Sequence, residues 1–168
     1  MATFTMPNTR LWTPASAEFG LQTAVFESTS PYGLATQTVD MLASRWVGTL
    51  TYPNQTNAER AVVEALLANV RGKAGRISMG HPLRRVPRGT MRGTPTLGAS
   101  ASALAVTLNI TGTGTVMAGD MLGVGGELVM VTADNPALTA VPITPPLRVA
   151  KSSGAAITWD WPRAVFML

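Results

Sequence analysis

Cysteine is absent from the 168 residues, which excludes disulfides, thiolate metal ligands and cysteine nucleophiles. Histidine occurs once, as His81, so a single chain cannot supply the two or three imidazoles of a zinc site built on histidine. Charge is scarce: 13% of residues are Asp, Glu, Lys or Arg, against about 25% in an average soluble domain. Long apolar runs are missing too. Mean hydropathy is +0.20, yet no stretch approaches the roughly 20 apolar residues of a membrane span. The opening Met1-Ala-Thr-Phe-Thr-Met-Pro7 has neither the basic head nor the apolar run of a secretory signal. The expectation is a chain without membrane insertion or export leader. Its few charges solvate its surface poorly, a difficulty that burial in a homo-oligomer removes.

What charge there is lies unevenly. Seven of the thirteen basic residues fall between Arg71 and Arg92, a window without an acid. The remainder holds six cations against nine acids, a net charge of −3. The basic stretch therefore either meets a polyanion, docks on an acidic neighbour, or is a solvated loop. It contains no aromatic residue, which argues against base stacking on single-stranded nucleic acid.

Along the chain, residues 1–16 read as irregular. An apolar strand is expected over Glu18–Glu27, a turn at Ser30-Pro31-Tyr32-Gly33, a β-rich run from Thr36 to Met41, and a strand from Arg45 to Tyr52 whose Trp46, Leu50 and Tyr52 share a face. One helix is expected over 56–71. Thr56 and Glu59 form a capping box, Ala61, Val62, Ala65, Leu66 and Val70 form the buried stripe, Arg60 and Glu64 can pair, and Gly72 stands at the left-handed stop. A strand at Arg76–Met79 and a long basic loop over 80–95 follow. From 97 to 159 the charges thin to Asp120, Glu127, Asp134, Arg148 and Lys151, and short Thr/Gly-rich strands are expected. These include Leu104–Ile110, Ala140–Ile143, Leu147–Val149 and Ala156–Trp159. Met121–Val124 and Glu127–Val131 flank Gly125-Gly126, a hairpin signal because both turn positions require positive φ. The apolar end Arg163–Leu168 must be paired. The expected fold is mainly β: a first domain of antiparallel strands with one α-helix, formed by 1–96 and 160–168, and a small inserted β-barrel or sandwich module over 97–159.

Signals for catalysis are weak. Gly123-x-Gly125-Gly126 lacks the spacing and the βαβ context of a dinucleotide loop, and Gly72-Lys73-Ala74 lacks most of a P-loop. His81, before Pro82, reads as a surface or interface residue. Asp120, after Gly119, reads as a turn residue bonding its own backbone. No serine stands in a nucleophile elbow. No catalytic, cofactor or metal residue is assigned. Trp46 reads as core; Trp159 and Trp161 could seat the junction between insertion and body, or a neighbouring subunit; Trp12 has no assigned role.

The order of parts, together with Ser30-Pro-Tyr-Gly33, Arg45-Trp46, Ala65-Leu-Leu-Ala-Asn-Val-Arg-Gly72, Ala118-Gly-Asp-Met-Leu122 and Pro145-Pro-Leu-Arg148, resembles the tail-tip proteins of long-tailed bacteriophages, the distal tail protein group in particular. The resemblance is one of pattern and extends over nearly the whole chain. It implies a tail-tube-like domain, a β-sandwich with one flanking α-helix, six copies in a ring, an inserted domain projecting outward, and a place in the virion between the tail tube protein and the hub or baseplate, around a lumen used by the tape-measure protein and by transiting DNA. It implies no enzymatic activity and no cofactor. Arg84, Arg85, Arg88 and Arg92 then become candidate contacts with the next subunit or with the lumen. Docking is the better reading, because a tight grip on phosphates would hinder transit. The alternatives are another tail ring, such as a terminator or head–tail connector component, and a nucleic-acid-binding module using 71–92. A small wall-degrading hydrolase is a third class, disfavoured by scattered acids.

Overall fold

The computed structural model describes residues 3–6, 14–53 and 55–167; Pro7, Trp12, Asn54 and Leu168 fall outside it. The chain is mainly β with one helix. Two separate apolar clusters divide it into a body and a module.

The body is built on β1 (Thr3–Thr5), β6 (Arg76–Gly80) and β14 (Arg163–Phe166), in the order β1-β6-β14. β1 is parallel to β6, so the start expected to be irregular contributes a strand. β14 is antiparallel to β6, with Phe166 opposite Ile77 and Arg163 opposite Gly80. The apolar C-terminal run thus returns to the first sheet, and everything between Gly80 and Arg163 is inserted between neighbouring strands.

Helix α1 (Asn57–Val70) packs on this sheet. Its capping box forms in both directions: Glu59 N–H donates to Thr56 Oγ1 at 3.4 Å and Thr56 N–H donates to Glu59 Oε2 at 2.9 Å. The Arg60–Glu64 pair is present at 2.8 Å on the exposed side. The buried face differs from the expected stripe. Leu66 and Val70 are buried and Val63 packs beside them, while Ala61, Val62 and Ala65 face outward. The left-handed stop begins one residue early, at Arg71 (φ 52°), and continues through Gly72 (φ 58°).

The expected strand over Glu18–Glu27 is two strands. β2 (Ser16–Gln22) pairs with β5 (Arg45–Thr51), and β3 (Val25–Thr29) pairs with β4 (Thr36–Asp40). Two residues join β2 to β3 but four join β4 to β5 (Met41–Ser44), and this inequality breaks one long hairpin into two ladders. The Asp40 carboxylate holds the kink, accepting from Leu42 N–H at 2.9 Å. All ten residues of β3 and β4 are exposed.

In the module, β10 (Met121–Val124) and β11 (Glu127–Val131) form the hairpin with Gly125-Gly126 at its tip, φ 54° and 88°. β12 (Val141–Thr144), β8 (Thr107–Leu108) and β13 (Ile157–Thr158) complete a sheet of order β13-β10-β11-β12-β8. β7 (Arg92–Leu97) pairs with β9 (Ile110–Thr113), and a Thr96–Ala156 bridge joins β7 to the approach to β13. Only Asn109 separates β8 from β9, so the pairings curl around one core of 14 buried apolar residues, Met91 to Ile157.

Three expectations are corrected here. β7 lies where the loop to 95 was expected, and Met91 belongs to the module core, so the packing boundary precedes residue 97. Leu104–Ile110 is strand only at Thr107–Leu108 and from Ile110 on, because Leu104 N–H and Ala105 C=O bond Leu147 instead. Leu147–Val149 forms no strand.

Candidate interaction surface

The basic stretch is mounted on the module by Asp120. This residue follows Gly119 (φ 89°), is 2% exposed, and accepts three backbone N–H groups. Arg88 donates to Oδ1 at 2.6 Å; Gly89 and Met117 donate to Oδ2 at 3.1 and 2.8 Å. The local turn bond expected of Asp120 exists, to Met117. The two bonds to the loop, made across more than thirty residues, are what pin it.

His81 starts the same loop. It is buried, and Nδ1 accepts from Leu83 N–H at 3.2 Å and Arg84 N–H at 3.0 Å. The other side of the ring meets Phe19 edge-on at 4.8 Å. Burial, helped by the Arg84 charge, lowers its pKa. A neutral imidazole whose lone pair closes a turn is a structural group, which corrects the expectation of a surface residue.

The four candidate arginines divide. Arg84 and Arg88 converge on the turn before Asp120, Arg84 Nη1 reaching Gly119 C=O at 3.4 Å and Arg88 Nη1 reaching Ala118 C=O at 3.5 Å. Arg85 stacks over Trp161 at 5.0 Å, and Arg163 covers the same indole at 4.2 Å. Arg92 lies over Trp159 at 5.0 Å and donates to Met91 and Gly89 carbonyls. Such cation–π contacts contribute about 0.5–1 kcal/mol each when exposed. Arg84, Arg88 and Arg92 thus rest on their own chain's carbonyls, held in position and still charged. Arg163 was missed at the sequence level; its alternation with Trp161 around Pro162 was the available signal.

The tryptophans join the two parts. Trp46 Nε1 donates to Leu128 C=O at 2.7 Å, and its ring stacks on Phe19 at 5.3 Å. Trp161 packs its pyrrole edge against Gly80, where a Cβ would stand 2.7 Å from Cδ1. Trp159 belongs to the module, donating to Gly93 C=O at 2.8 Å. Trp161 therefore takes the junction role and Trp159 does not.

Beside Trp46 a groove of about 780 Å³ opens between α1, β5 and β14. Its floor is apolar, including Leu50, Leu66 and Phe166, and among the described residues Arg45, Arg76 and Arg148 are its only charged lining residues. Among the described residues no group of three or more His, Cys, Asp or Glu side chains could hold a metal ion. No described helix is long and apolar enough to cross a membrane. Fixed guanidinium groups beside exposed apolar surface suit binding to carboxylates or phosphates.

No protein-family model matches the chain, and no curated protein is significantly similar to it in sequence.

Proposed function

We propose that the chain is a structural virion protein: one subunit of a ring at the tail tip of a long-tailed phage, of the distal tail protein kind, joining the tail tube to the hub or baseplate. The observation that carries this reading is the uncovered apolar arm, Val25–Met41. Phe26 is 61%, Leu34 82% and Tyr32 99% exposed on a two-stranded element with no described packing partner. An isolated hairpin is marginal in water, and apolar surface of this kind marks a contact with another chain. The sparse charge, the insertion between β6 and β14, and the resemblance in the order of parts support the same reading. The partners on this reading are further copies of the chain, six to a ring, the tail tube protein above, the hub or baseplate below, and the tape-measure protein and DNA in the lumen. It includes no catalysis and no cofactor. A terminator or head–tail connector ring remains the alternative, since such rings share the architecture.

Light scattering on the purified chain at low and high salt tests it. A hexamer, or a monomer that assembles when tail tube protein is added, supports the ring. A monomer that ignores tube protein and binds DNA with a steep salt slope refutes it in favour of the nucleic-acid reading. Within the ring reading, Arg84, Arg85 and Arg88 dock on a neighbouring subunit. Their reversal to Glu is expected to block assembly; normal rings with altered DNA ejection would place them at the lumen.

A further inference from the structure

We infer that the arm of one copy seats in the groove of the next. This inference rests on the ring reading and names the contact that builds the ring. Among the described residues neither surface covers the other: none of the groove's lining residues comes from 25–41, and β3 and β4 pair only with each other.

Their chemistry matches. Phe26 and Val39 are directly opposite on one face of the arm, an apolar pair for an apolar floor. Glu27 and Asp40, on the other face, make the arm acidic. From residue 14 to 44 the chain carries Glu18, Glu27 and Asp40 and no cation. Among the described residues the groove is lined by three arginines and no acid. Of these, Arg45 is held in place by Gln22 Oε1 at 2.9 Å, at the base of the arm.

Because donor and acceptor are different surfaces, the contact is head-to-tail. Such a contact propagates from copy to copy and closes into a ring when the rotation permits. A two-fold dimer would instead require a self-complementary patch.

The absence of cysteine makes the test clean. Two single-cysteine chains, Val39→Cys on the arm and Leu67→Cys on the groove wall, are mixed, with and without tail tube protein, and mildly oxidised. Both positions are about half exposed, so neither substitution opens a core. A covalent pair between the two chains is expected, with none when Thr113→Cys on the module replaces Leu67→Cys. In parallel, Glu27→Lys is expected to weaken assembly about tenfold or more, and Arg148→Glu in the same chain to restore part of it. Oligomers that form without the Val39–Leu67 cross-link and ignore Glu27→Lys would overturn the arm-in-groove contact and leave the ring reading standing. A chain that stays monomeric with tube protein present and gives no cross-link would overturn both.

Discussion

Replacing Asp120 isolates the role of its buried carboxylate. In Asp120→Asn the amide oxygen can keep the two donors now on Oδ2, Gly89 and Met117. The amide NH₂ then faces Arg88 N–H, and the 2.6 Å bond is lost. Hydrogen bonds to charged groups contribute about 1.5–3 kcal/mol each, so Asn is expected to destabilise the module by about 2 kcal/mol. Asp120→Ala removes both acceptor oxygens with the three bonds they accept and strands the Gly89 N–H in a buried site, at a cost of about 3–5 kcal/mol. Asp134 is the internal control. It accepts from Ala118 N–H at 2.8 Å in an exposed position, where water replaces the lost acceptor, and Asp134→Ala is expected to cost about 0.5–1 kcal/mol. Urea unfolding followed by intrinsic tryptophan fluorescence reports the transition, Trp159 being the indole that lies within the module. With m near 1–3 kcal/mol per M, the Asn variant shifts the midpoint down by about 0.7–2 M. Amide exchange at Arg88 should quicken in both Asp120 variants and not in Asp134→Ala. If Asp120→Asn and Asp134→Ala shift the midpoint equally, with Arg88 protection unchanged, the carboxylate does not hold the loop.

Three further outcomes follow from the body and the loop. His81 has its folded pKa lowered, so its neutral form stabilises the fold; that contribution is complete above the unfolded value near 6.5 and is lost as pH falls through the lowered folded value. A urea titration from pH 7.5 to 5 should show this decline in the native chain and a flatter profile in His81→Gln. Gly80→Ala places a methyl 2.5 Å from Pro162 C=O and 2.8 Å from Trp161 Nε1; about 1–3 kcal/mol of destabilisation is expected, with faster amide exchange along β14, and unchanged exchange there would count against a close seam. Thr56→Ala removes one half of the capping box and should cost about 1 kcal/mol of helix stability, with Thr56→Ser near native; equal losses in both would assign the effect to something other than the cap.

Elements whose determinants are local could be read from the sequence. The capping box needs only Thr56 and Glu59, and the β10–β11 turn needs only Gly125 and Gly126. The return of the terminal strand was legible because an apolar end must be covered. Positions decided by distant partners were not. Nothing at Thr23-Ala24 marks the break between β2 and β3; it arises from the longer connection opposite. β7 carries Gly93 and Pro95 and so resembled a loop, yet Pro95 is buried and the ladder absorbs it through a register shift between Arg92 and Thr96. The face of α1 was misjudged because Ala61, Val62 and Ala65 satisfy a helical period as well as Val63, Leu66 and Val70 do; the sheet beneath decides which stripe is covered. The basic residues were legible as a group, but the division of Arg84 and Arg88 from Arg85 and Arg92 depends on Trp159, Trp161 and the Gly119 turn, all remote in sequence.

The two parts of the chain differ in how far each satisfies itself, and this asymmetry bears on assembly. The module buries 14 apolar residues in one cluster, and its hairpin, bridges and Asp120 are supplied from within. Among the described residues the body buries five in its cluster, leaves a groove beside them, and extends an apolar arm into solvent. Small cores are marginal because the conformational entropy lost on folding nearly balances the surface they bury. Burial of the arm against another chain would add apolar area at about 25 cal/mol per Å² to the part that has least of its own. The proposed ring contact and the folding of the body would therefore be coupled: each copy would complete its neighbour's core, while the module, already complete, would stay free to meet other proteins. Such coupling also gives the scarcity of charge a physical place, since residues destined for a shared core cannot be solvated ones.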